Sequence, residues 1–240
     1  MVETRSLRIV TWNCNGALRK KWHHLQPLDA DIYVIQECED PSGSSDSPYQ
    51  DWASNHLWTG ENKNKGVGVF ARSGLALERV DLRLDPLKLF LPCRINGAPL
   101  LATWTQHANS PTFEYIGQLW KFLQGHRSFL DDPRAMVVGD LNSNVQWDKW
   151  DRWWNHSDVV RELGDLGLRS AYHESRKLAQ GNEPDPTFFL QRNESKAYHI
   201  DYVFMGQEWT VGGFDVGHSD QWLPYSDHMP LVVDLHVFDS

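Results

Sequence analysis

Short apolar runs that end abruptly on amides, acids or an imidazole set the strongest limit on how this chain folds. Trp12-Asn13-Cys14-Asn15-Gly16 follows the run from Arg8 to Thr11, and Ile35-Gln36-Glu37 closes the run from Ile32 to Ile35. Gly139-Asp140-Leu141-Asn142 follows Ala135 to Val138. His199-Ile200-Asp201-Tyr202 falls in the run from Tyr198 to Phe204, and Ser226-Asp227-His228 precedes the run from Met229 to Val237. Runs of this length and branching read as strands. One sheet rim can then gather all five signatures.

Their chemistry is that of a divalent-metal phosphoesterase. Asn13 and Asn15, Asp140 and Asn142, and His199 and Asp201 are each one residue apart, a spacing that turns both side chains of an extended pair to the same side. One such pair is ordinary turn chemistry; three beside apolar strands point to a shared polar pocket. Glu37, at the end of a strand apolar enough to be buried, needs a partner or solvent, and oxygen donors of this kind suit Mg²⁺ or Mn²⁺. Asp140 is a candidate for holding an attacking water, with Asn142 donating to a phosphate oxygen. His228 can serve as acid, base or charge stabiliser near neutral pH, its tautomer fixed by Asp201.

These residues run from position 13 to position 228, so residues 1–240 are expected to form a single domain. No apolar stretch approaches the ~20 residues of a membrane span, and the start lacks a signal-peptide core. A cytoplasmic protein is expected, a monomer ahead of an oligomer, with no membrane partner. Three cysteines without a Cys-x-x-Cys pair argue against a disulfide scaffold or structural zinc. The net charge of −9 weighs against strong non-specific duplex binding, although clustered carboxylates awaiting a metal account for part of it.

Between the signatures, Leu18, Trp22 and Leu25 predict a helix over Ala17 to Gln26, with Arg19, Lys20 and Lys21 on its solvated face. Asp40 to Pro48 and Gly60 to Lys65 read as loops, and in the second Lys63 and Lys65 are candidate phosphate contacts. Val67 to Ala71, Leu100 to Thr105 and Thr187 to Leu190 read as strands. Phe113 to Leu123 reads as an amphipathic helix, and Ser157 is the expected N-cap of another through Leu166. Four tryptophans among charges, Trp147 to Trp154, are either a stacking platform for bases or a cover for the core. The alternation of strands and helices predicts a layered α/β domain with a mixed sheet.

In this order, the motifs resemble the endonuclease/exonuclease/phosphatase superfamily, which includes pancreatic deoxyribonuclease, exonuclease III and abasic-site endonucleases, inositol polyphosphate phosphatases and neutral sphingomyelinases. The resemblance runs from Trp12 to Pro230. It implies an α/β four-layer sandwich, two mixed β-sheets packed face to face with helices on the outside, and a metal-dependent cleft at one edge. It further implies metal binding by Asn13, Glu37 and Asp227, a nucleophile-orienting pair in Asp140 and Asn142, and a dyad of Asp201 and His228. His107 falls where members place a His or Tyr on the scissile phosphate. Asn15 stands where some abasic endonucleases carry aspartate, which leaves this site less negative. Asn15 and His199 are candidates near substrate, although for His199 a structural role is preferred to that of a second catalytic histidine. The activity expected is hydrolysis of nucleic-acid phosphodiesters, DNA ahead of RNA; the alternative is a small-molecule or lipid-headgroup phosphate ester.

Overall fold

Strands buried on both faces build the molecule, which the computed structural model describes over residues 4–107 and 110–238. In β1 (Thr4–Asn13), Ile9 faces one core while Val10 and Trp12 face another. The next strand, β2 (Ile32–Cys38), repeats the division: Ile32 and Val34 point one way, Tyr33 and Ile35 the other. Near-continuous apolar runs are what such two-sided burial demands.

The remaining strands are β3 (His56–Asn62), β4 (Lys65–Ala71), β5 (Leu77–Arg79), β6 (Phe90–Ile95) and β7 (Ala98–Trp104). After them come β8 (Met136–Asp140), β9 (Arg169–Ser170), β10 (Phe188–Phe189), β11 (Ala197–Tyr198), β12 (Asp201–Met205), β13 (Trp209–Val216) and β14 (Leu231–Phe238). One six-stranded sheet has the order β13-β14-β1-β2-β4-β3, a second the order β5-β6-β7-β8-β12-β9, and β10 pairs with β11 apart from both. Both large sheets are mixed: β1 runs parallel to β2 and β7 parallel to β8, amid antiparallel neighbours.

Between the sheets, Ile9, Val34 and Val69 of the first meet Leu91, Leu100 and Val138 of the second in one core. Each such side chain, fully buried, contributes roughly 1.5–3 kcal/mol. Helices α2 (Ile116–His126) and α3 (His156–Asp165) cover the outer face of the second sheet through Leu119, Phe122 and Leu163. The outer face of the first is covered by α1 (Ser47–Trp52), α5 (Ser219–Trp222) and a chain of short turns. A further helix, α4 (Ala171–Arg176), packs on β12 and β13. The result is a four-layer α/β sandwich.

Several local expectations are corrected. The helix expected over Ala17 to Gln26 is three successive 3-10 turns, because Ala17 takes a left-handed φ of 52° and Lys21 leaves helical geometry to bind backbone carbonyls. Lys21 is therefore not on a solvated face. The segment Asp40 to Pro48 contains a 3-10 turn and starts α1. Gly60 to Lys65 is no open loop: β3 and β4 extend through it, turning only at Lys63-Asn64. The strand expected from Tyr198 to Phe204 is broken between β11 and β12. Asn155, not Ser157, starts α3, its backbone N–H donating to Asp158 Oδ2 at 2.9 Å in a capping box.

Candidate active site

Parallel strands deliver their polar ends to one edge of the sandwich. Asn13 at the end of β1 is registered with Gln36, next to Glu37, while Asp140 at the end of β8 faces Trp104 of β7 and Asp201 of β12. Backbone strain aims two of these groups. A bulge between β2 and β4 puts Glu37 at φ 60°, and Asn142 sits at φ 44° just past Asp140. Gly139 allows the approach of β7, since a Cβ there would lie 1.9 Å from the Thr103 carbonyl oxygen.

The cleft, about 380 Å³, is lined by Asn13, Asn15, Glu37, His107, Asp140, Asn142, Asp227 and His228. Asp140 is its buried centre. Asn13 Nδ2 donates to Asp140 Oδ2 at 3.0 Å and to Glu37 Oε1 at 3.3 Å. Asn142 donates its backbone N–H to Asp140 Oδ1 at 2.8 Å, and its side-chain amide to Asp140 Oδ2 and the Thr105 carbonyl, both at 3.0 Å. Both side-chain amide hydrogens of Asn142 are thus engaged, one on Asp140 and one on the Thr105 carbonyl. On the other side, His228 Nδ1 donates to Asp201 Oδ2 at 3.0 Å, leaving Nε2 3.8 Å from Asp140 Oδ2. Thr187 Oγ1 donates to the same Asp201 oxygen at 2.7 Å.

Burial raises the Asp140 carboxyl well above the usual range; the facing imidazole opposes this and Asp201 adds to it. For His228, burial works against the charged form, but Asp201 and Asp140 outweigh it and hold the imidazole protonated at neutral pH. The floor of the cleft therefore presents a cation between two acids.

Not every expected residue reaches the cleft. Lys65 does meet it, its Nζ 2.7 Å from Glu37 Oε2 and 5.4 Å from the Trp104 ring centroid. Asn15 Nδ2 donates to Asp227 Oδ1 at 3.1 Å, and His107 Nε2 lies 3.0 Å from Glu114 Oε1 at the cleft mouth. Lys63, by contrast, borders a separate depression with Arg19, Lys20 and Asp46. His199 is buried behind the site, its Nδ1 donating to the Asp185 carbonyl at 2.8 Å and its ring against Tyr172 and Tyr202. The extended pair His199 and Asp201 does not share a pocket, because the chain breaks strand geometry between β11 and β12.

Residues outside the sequence expectations also shape the site. Trp104, Gln106, Tyr115 and Phe188 line the cleft. Lys21 Nζ donates to the Cys14 carbonyl at 2.6 Å and the Tyr225 carbonyl at 2.8 Å, tying the segment after β1 to the one before β14. Ser226 Oγ adds a second tie, to the Asn13 carbonyl at 2.7 Å. A polar residue in a mixed run gives no sequence signal of such bracing.

Two groups of donors fit a divalent ion differently. Asp140, Asp201 and His228 bring ligand atoms within 4.8 Å of one another, but the Asp201 and His228 atoms already bond each other. Glu37 offers an oxygen that already attracts a cation, the Lys65 ammonium. Asn13 turns its nitrogen to the acids, while its oxygen accepts from Asn15 N–H at 3.1 Å. Glu37 and Asp227 bring further carboxylates to the same cleft.

A family model for the Endonuclease/Exonuclease/phosphatase family matches residues 10–228, and the chain belongs to that family. It is accordingly a phosphoesterase of a metal-dependent class. Among solved structures, the 3' phosphatase NExo from Neisseria bound to product DNA hairpin matches with TM-score 0.71 and 19% identity, over 98% of this chain and 100% of that one. An AP endonuclease from Archaeoglobus fulgidus gives 0.65 and 19%, over 98% and 100%. TDP2 from C. elegans gives 0.66 and 15%, over 98% and 75%. At these identities the likeness is one of fold. No curated protein sequence matches significantly.

Proposed function

We propose that this chain hydrolyses phosphodiester bonds in nucleic acid, DNA ahead of RNA, with Mg²⁺ or Mn²⁺ as its ion. The observation that carries the reading is the single hydrogen-bonded group at the cleft floor: Asp140 held by Asn13 and Asn142, and facing His228 backed by Asp201. Asp140 orients a water and accepts its proton as the water oxygen bonds to phosphorus; the bond from phosphorus to the leaving oxygen breaks. Asn142 positions Asp140. The His228 imidazolium, with Nε2 free of a close partner, stabilises the negative charge on phosphate oxygens. An ion held by Glu37 and Asp227 would neutralise charge on the phosphoryl group.

DNA is favoured because NExo was solved with a DNA hairpin and another protein of this fold is an AP endonuclease. The buried, unpaired Cys14, Cys38 and Cys93 support a reducing compartment, so a cytoplasmic location is part of the same proposal. No helix among the described residues is long and apolar enough to cross a membrane. A phosphate monoester or lipid headgroup is the second reading, favoured by the net charge of −9.

The test is incubation of pure protein with single-stranded, duplex and abasic DNA, with RNA, and with small phosphate esters, each with Mg²⁺, with Mn²⁺ and with chelator. Metal-dependent shortening of DNA is expected. Phosphate release from small esters with every nucleic acid left intact would transfer the assignment to the second reading.

A further inference from the structure

The exposed aromatic side chains are not scattered. Of the five large apolar side chains exposed among the described residues, Tyr115 (40%), Trp147 (42%), Trp150 (98%) and Trp153 (63%) belong to two segments beside the catalytic cleft. These segments border a second cavity of about 630 Å³, which has Tyr115 and Asn142 in common with that cleft. Lys149 and Arg152 line it too, as do the acids Glu114 and Asp151. Indole faces left in water cost apolar hydration that packing would remove. Trp154 of the same segment shows the alternative, packing its ring 4.7 Å from Phe113.

A path of rings joins the cavity to the chemistry. Phe188 lies 4.6 Å from the His228 ring, Tyr198 lies 6.4 Å from Phe188, and Trp147 lies 5.3 Å from Tyr198. Flat apolar faces interleaved with cations, continuous with a phosphodiester-cleaving site, match a chain of phosphates carrying exposed bases. A duplex hides its base faces, and its backbone calls for a basic footprint that a chain of net charge −9 lacks.

We propose that the segment from Trp147 to Trp153 is a stacking platform that binds unpaired nucleotides adjoining the scissile phosphate, making single-stranded stretches or frayed ends the substrate class. This rests on the nucleic-acid reading above. Trp150 and Trp153 stack bases, Lys149 meets the phosphates between them, and Arg152 braces the segment through Asn155 Oδ1 and the Trp147 carbonyl.

The experiment is a cycle of protein and ligand changes. Fluorescence anisotropy, in chelator so that no turnover occurs, follows a labelled oligonucleotide with an unpaired oligo(dT) tail and its counterpart with a base-less sugar-phosphate tail of equal length. Bases are expected to tighten binding to the wild-type protein roughly tenfold, the worth of about one stack. In Trp150→Ala, whose side chain leaves no cavity, that ratio should fall toward one, and in Trp153→Ala likewise. A wild-type ratio near one, or a ratio unchanged in both variants, overturns the platform while leaving the nucleic-acid reading intact. Failure of the wild-type protein to bind either oligonucleotide, together with cleavage of small phosphate esters only, overturns both. Loss in the variants of binding to anionic vesicles, with the oligonucleotide ratio unchanged, assigns the rings to a membrane and refutes the platform.

Discussion

On the proposed reading, in which Glu37 holds the ion, Lys65 and that ion compete for one carboxylate. The ammonium at 2.7 Å is half-exposed and rests on Trp104, so its displacement by an ion leaves it in the cleft, where a substrate phosphate can take over as its partner. Lys65→Met should therefore tighten Mn²⁺ binding roughly fivefold, the scale of a partly exposed pair, while raising KM. An electron-paramagnetic-resonance titration reads the first effect, and an unchanged or weaker Mn²⁺ affinity would refute the competition. Asp140→Asn keeps the shape of the central group but removes its proton acceptor, and turnover should drop by at least about a thousandfold. Its thermal midpoint should stay close to the wild-type value or rise, since a raised carboxyl pKa means that burial of the charge opposes folding. A single-turnover rate within tenfold of wild type would move the chemistry elsewhere. His199 marks the limit of residue-scale reading: its one-apart spacing from Asp201 promised a shared pocket. Only the backbone break before β12 decides that it faces Tyr172 instead.

At the scale of elements, the strands that carry the site were the most legible part of the chain, because runs such as Ile32 to Ile35 are apolar on both faces and end on a polar residue. What the pattern could not reveal was set by single side chains acting on distant backbone. The helical spacing of Leu18, Trp22 and Leu25 is real, and Leu18 and Leu25 are buried. The turns nevertheless stay 3-10, with Lys21 drawn inward to carbonyls on both sides of the site. Likewise, the Trp147 to Trp154 segment divides its rings, with Trp154 packed on Phe113 and Trp150 in solvent. The close approach of β8 to β7 at Gly139 offers a direct check. Gly139→Ala would force β8 away from the Thr103 carbonyl of β7, costing about 2–4 kcal/mol and shifting Asp140. Urea unfolding should show the loss of stability, and folded protein should show a lower kcat. A variant of normal stability and rate would mean that the strands can separate without moving the site.

Across the whole molecule, buried histidines couple stability to pH. Burial pushes His156 down to about 4, and its ring nitrogens face Ser143 and Gln180. The unfolded chain, with its imidazole near the ordinary ~6.5, binds the proton first. Stability should therefore be full above that value and decline as pH falls toward 4, by about 3 kcal/mol at the limit. His228 has the opposite sign: its raised value contributes stability below about 6.5 that is lost on the alkaline side. Chemical denaturation from pH 8 to pH 4 should show a shallower acid decline in His156→Gln than in the wild-type protein; parallel curves would exclude His156 as the source. One arrangement in the sheet also has a temporal meaning. The pairing of β1 with β14 joins residues 4–11 to residues 231–238, and His228 stands only three positions before β14 begins. On a ribosome, Asn13 and Asp140 emerge well before the imidazole that Asp140 faces. The group around Asp140 therefore stays incomplete until His228 and the strand that follows it have been made.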